Sequence, residues 1–138
     1  MKFLRVLWFI FLGSPLLALK LIIEPTESGV RGTRVFKPLA IYAELFEKTK
    51  ECSGLRGSMD GITWLAIPGT ETFNTKNGPK VGMWEEASGK FTVTLAGKYI
   101  DHEMVVRHEM LHHLLRRVGH PSEYFQKCKL TWETWQKN

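Results

Sequence analysis

Apolar positions along this chain fall into three patterns: one unbroken run near the start, stretches that alternate with polar residues, and stretches that repeat every three or four residues. From residue 38, Leu39, Tyr42, Phe46 and Thr49 recur at helical spacing behind Pro38. The pattern closes at "CSG" (52–54), which predicts a helix with Cys52 at its C-terminal end. "ITWLAIP" (62–68) is dense in β-branched and aromatic residues and is bounded by glycine and proline, so it predicts a strand largely buried on both faces. "FTVTLA" (91–96) sets Phe91, Val93 and Leu95 against Thr92, Thr94 and Ala96. That alternation predicts a half-exposed strand with a free edge. Between the two, "GTETFNTKNGPKVGMW" (69–84) reads as loop and "EASGK" (86–90) as a turn. "LKLII" (19–23) reads as a short first strand.

A second helix starts behind Asp101, a suitable cap, and runs through Val118 to a stop at Gly119. Pro121 opens a short third helix, "PSEYFQKC", that delivers Cys128. Trp132 and Trp135, three residues apart, are expected to cover the core. With no internal repeat or low-complexity linker, residues 19–138 read as one α+β domain.

The unbroken run sets the first 18 residues apart from the rest of the chain. Lys2 and Arg5 precede an apolar stretch at 6–12, then Gly13-Ser14-Pro15 and a second stretch ending at Ala18. This is the order of an export signal, expected to be cleaved after Ala18. Retained, the same segment is long enough to serve as an N-terminal membrane anchor. The expected location is therefore the periplasm or the extracellular space. Two cysteines in such a compartment, Cys52 and Cys128, are expected to form a bridge, which in the chain-entropy picture contributes up to about 4 kcal/mol.

Charge narrows the partners. The formal net charge of +5 drops to +3 without Lys2 and Arg5, and the remaining basic residues are scattered among glutamates along the chain. A nucleic-acid surface needs clustered cations interleaved with aromatics, so no nucleic-acid partner is expected. Arg107, Arg116 and Arg117 are expected to serve structural salt links or to lie in solvent.

Four of the five histidines lie in "RHEMLHHLLRRVGHP" (107–121). On a helix, His112 is displaced by about 40° from His108 and Glu109 by about 100°, so both imidazoles face one way with the carboxylate beside them. Met104, Leu111, Leu115 and Val118 form an apolar stripe next to the pair, setting the site at the rim of the core. H-E-x-x-H is the spacing by which two imidazoles hold one zinc ion while the glutamate serves as general base. A catalytic zinc takes three protein ligands, and a chain reversing at Gly119 can return His120 as the third, with Glu123 and Glu133 as alternatives. His113 points off the ligand face and His102 lies at the helix start. Both are expected in solvent or beside the ligands rather than on the metal.

"VRHEMLHHLL" followed by "GHP" resembles the zincin-type zinc metallopeptidases, specifically small exported bacterial ones whose active-site helix ends in a Gly-His-Pro turn. The resemblance is specific over residues 106–125 and weaker over "CSGLRGSMDGITWLAIPG" (52–69). It implies a small mixed or antiparallel sheet packed on the active-site helix, one zinc ion on His108, His112 and His120, and Glu109 as general base. Where the related metzincin pattern has glycine and its third ligand, this chain has Leu115 and Val118, and His120 follows two residues later.

On that reading the partner is a peptide or protein substrate, docked as an added strand along "FTVTLA", with Tyr99 or Tyr124 as oxyanion donor. The competing reading is a non-catalytic zinc protein of the cell envelope, in which a fourth protein ligand closes the site and Glu109 is idle. A metal-free interaction domain with a protonatable histidine patch is the third.

Overall fold

Residues 30–135 are described by a computed structural model. The expected export segment and the strand at 19–23 lie outside them. The elements, in order, are β1 (Arg34–Val35), α1 (Tyr42–Ser53), β2 (Ile62–Ile67), β3 (Phe73–Thr75), β4 (Gly78–Lys80), β5 (Gly82–Ala87), β6 (Lys90–Ala96), α2 (Glu103–Leu115) and α3 (Ser122–Phe125). A four-stranded mixed sheet runs β1-β2-β6-β5, with β2 and β6 parallel and the outer pairings antiparallel. β3 and β4 form a separate hairpin. α1 and α2 pack on one another, and α2 lies against β5 and β6. The chain is thus an α+β protein with a small mixed sheet carrying the histidine helix.

α1 starts four residues later than Pro38 predicts, because residues 39–42 close a turn, with Tyr42 N–H donating to the Leu39 carbonyl. Its end is as expected. Gly54 takes a left-handed φ of 73° and returns its N–H to Lys50, a conformation that favours glycine. Tyr42, Leu45 and Phe46 face inward and meet Trp64 of β2, Trp84 of β5, Val93 and Leu95 of β6, and Met104, Val106, Met110 and Leu111 of α2. Burial of this set supplies the main folding drive. The Tyr42 hydroxyl donates to the Ile100 carbonyl, tying α1 to the approach of α2.

The stretch 69–84 is not loop: it holds β3, β4 and the first residues of β5. Glycine and two glutamates in "GMWEEA" carry weak strand propensity, and β5 exists because Trp84 packs into the core and β6 pairs with it. β6 is not an open edge either, since β2 and β5 flank it and Thr94 is fully buried. Hydroxyls at alternate positions mark a second packed face here rather than a wet one. At α2 the cap is His102, not Asp101. His102 is extended and its Nδ1 accepts from Val105 N–H at 3.4 Å, while its ring packs among Tyr99, Trp132 and Trp135. α2 also stops at Leu115 rather than Val118, because Arg116 turns left-handed at φ 56°.

β2 is less enclosed than predicted: Trp64 and Leu65 are buried, but Thr63 is exposed. The "EASGK" turn is found, with Ser88 and Gly89 both at positive φ, the geometry of a tight hairpin whose twist matches its strands. Cys52 and Cys128 are bridged, with Cα atoms 5.6 Å apart, fastening the end of α1 to the segment after α3. Such a bridge fits a non-reducing compartment. No helix among the described residues is long and apolar enough to cross a membrane.

Candidate metal centre

His108 and His112 leave α2 on one face, one turn apart. The left-handed Arg116 and the turn behind it then bring His120 back over them. Their three Nε2 atoms stand 3.0, 3.2 and 3.2 Å from each other. Nitrogens about 2.0–2.1 Å from one tetrahedral zinc ion lie about 3.3 Å apart, so the triad has the dimensions of a ligand set. Among the described residues it is the group of His, Cys, Asp or Glu side chains able to hold a metal ion.

Hydrogen bonding on the far side of two rings sharpens the point. His108 Nδ1 lies 2.6 Å from the Leu130 carbonyl and His112 Nδ1 lies 2.9 Å from the Arg117 carbonyl. A carbonyl can only accept, so each Nδ1 carries the proton and each Nε2 turns a bare lone pair toward its neighbours. Converging lone pairs repel unless a cation lies between them. Phe125 floors the triad, its ring centroid 4.7–4.9 Å from each imidazole. His120 is exposed, so the centre is open on that side.

Burial depresses the His108 pKa to about 4 and the His112 pKa to about 3, with the neighbouring histidines and Lys80 adding to it. His120 is lowered as well, by burial and then Lys80. The ligands are therefore neutral, as metal binding requires, throughout the physiological range. Glu109 is 4% exposed, and burial raises its carboxyl to about 8 against the opposing pull of Lys80 and the Trp84 backbone. Its Oε2 is buried with no hydrogen-bond partner among the described residues. β5 comes so close that a Cβ on Gly82 would sit 2.7 Å from Glu109 Oε1, which is why the strand begins on glycine.

These shifts set the pH response of the metal-free protein. The buried histidines cost stability once pH falls below their ordinary value of 6.5, since the unfolded chain then binds protons that the folded one refuses. Glu109 costs stability as pH rises from 4.5 toward about 8, where the unfolded carboxyl has ionised and the folded one has not. Below 6.5 several histidines outweigh one glutamate. The melting temperature of chelator-treated protein is thus expected to peak near pH 6.5; a steady rise up to pH 9 would contradict the burial of Glu109.

Glu123 is exposed on α3 and Glu133 lies on the wall of the adjoining cavity, both outside the triad. His113 faces away from the ligands, as expected, but is buried rather than in solvent or beside them. Its Nε2 donates to the Ser58 carbonyl and its Nδ1 accepts from the Trp84 indole and Arg116. Arg116 also covers the Phe91 ring at 4.0 Å, and Arg107 pairs with Glu103 at 3.0 Å, so both are structural. Tyr99 packs on His102 and Trp132, and Tyr124 packs against the core; neither lines the cavity beside the triad. Trp132 does line it, and at 57% exposed it is not the core cover that its spacing suggested, unlike the half-buried Trp135.

That cavity, about 470 Å³, runs between the β4–β5 corner, α2 and residues 131–133, with His108, Glu109 and His120 in its wall. Lys80, Phe125 and the Leu130 and Arg117 carbonyls escaped the sequence reading. Backbone carbonyls leave no trace in residue types, and Lys80 sits in a stretch read as loop. No protein-family model, curated protein or solved structure matches the chain.

Proposed function

We propose that this protein is an exported zinc-dependent metallopeptidase with a zincin-like site. The observation that carries the reading is the convergence of three neutral imidazole nitrogens beside a buried carboxyl whose Oε2 has no hydrogen-bond partner among the described residues, in the wall of one cavity. His108, His112 and His120 would hold the ion. Bound there, zinc would polarise a carbonyl and bring the pKa of a water down toward about 7.

Glu109 does the proton work. Its carboxylate would take a proton from the attacking water and return it to the leaving amine nitrogen. The Leu130 and Arg117 carbonyls hold the rings of His108 and His112 in the required tautomer. Peptide would dock on β5 instead of β6, because β5 ends the sheet and its first residue, Gly82, borders both Glu109 and the cavity.

A purely structural zinc site would be closed by a fourth protein ligand. Among the described residues the triad has none, which favours the catalytic reading. Elemental analysis of the chain lacking residues 1–18 tests it, alongside the His112→Ala variant. About one zinc per chain is expected in the parent and almost none in the variant; a folded parent that takes up no zinc from excess metal would end the proposal.

A further inference from the structure

Lys80 ends β4 and lines the cavity beside His108, Glu109 and His120, and among the described residues no other lysine or arginine lines it. It is half-buried, and among the described residues it makes no ion pair. A half-buried ammonium with no carboxylate within ion-pair distance among the described residues gains from an anion brought into the cavity that it lines.

We infer that Lys80 forms an anion subsite of this cavity that takes a carboxylate of the substrate, from either the peptide's C-terminus or an Asp or Glu side chain near the scissile bond. The inference rests on the peptidase reading and adds a substrate class to it. Lys80 stands two residues before Gly82, so it sits where a peptide laid along β5 would begin or end over the centre. Glu133, also on the wall and exposed, repels a carboxylate from that side and so favours the Lys80 end.

The test reads binding rather than turnover. In a zinc-loaded Glu109→Gln background, N-acetylated hexapeptide mixtures without charged side chains are titrated in three forms: C-terminal amide, C-terminal free acid, and amide with a single glutamate. Trp132 on the cavity wall supplies the fluorescence signal. One carboxylate form is expected to bind about ten- to hundredfold tighter than the neutral amide, the size of a charge-assisted hydrogen bond. Lys80→Met should erase that preference and Lys80→Arg should keep it. Preference for the free acid assigns the C-terminus; preference for the glutamate form assigns a side chain. Three results overturn the subsite: no carboxylate preference in the Lys80 protein, a preference that survives Lys80→Met, or an equal loss over all three forms. Zinc content, and cleavage of the neutral amide mixture by the protein with Glu109 intact, judge the peptidase reading separately. Zinc and cleavage without carboxylate preference would sink the Lys80 inference alone.

Discussion

Glu109→Gln is expected to retain zinc and fold while losing turnover by about two to four orders of magnitude, the range over which a positioned general base acts. Glutamine matches the carboxylate in shape, so the close approach of Gly82 is preserved and no cavity opens. It cannot accept a proton, however, and so cannot activate water or supply the leaving amine. Burial supports the fold-neutral half of this expectation, because exchanging a desolvated carboxyl for an amide removes an ionisable group from a site that disfavours its charge. Zinc analysis, melting temperature and peptide turnover are measured on the same preparation. Full turnover would move the base elsewhere, and loss of zinc would make Glu109 a structural part of the metal site.

Removing the disulfide should act on stability and on the metal centre together. The Cys52–Cys128 bridge spans a sequence separation of 76, and its loss in the Cys52→Ser/Cys128→Ser double variant is expected to destabilise the fold by up to about 4 kcal/mol. Cys128 lies two residues before Leu130, whose carbonyl holds His108 Nδ1, and three after Phe125, the floor of the triad. Loosening this segment should therefore weaken zinc binding by about ten- to hundredfold, as loss of a group orienting a ligand does. Urea unfolding and a competitive zinc titration give the two numbers. Unchanged zinc affinity in a destabilised variant would show that the core, with Leu130 fully buried, holds the carbonyl without help.

The features legible in the sequence were those that local chemistry encodes. The 3–4 spacing from Leu39 to Thr49 with a glycine stop placed α1 to within four residues at its start, and the heptapeptide 62–68 placed β2. The His108–His112 spacing placed two rings on one face, because a helix turn brings residues four apart together. What failed was set by neighbours distant in sequence. Two glutamates and a glycine become strand β5 only against β6, and β6 lies inside the sheet between β2 and β5 with Thr94 fully buried. His102 displaced Asp101 as the cap because an aromatic nest holds its ring.

Residue order alone specifies the α+β class, the helix that presents His108, Glu109 and His112, and two cysteines available for a bridge. These follow from side-chain periodicity and residue type, which act over a few positions. The folded chain settles that His120, rather than Glu123 or Glu133, meets the other two rings, that Lys80 shares their cavity and that two backbone carbonyls set the imidazole tautomers. It also settles that β5 rather than β6 ends the sheet. Each depends on where the turn at Arg116, the β3–β4 hairpin and the disulfide-tied C-terminal segment come to rest, and packing between distant parts of the chain sets those positions.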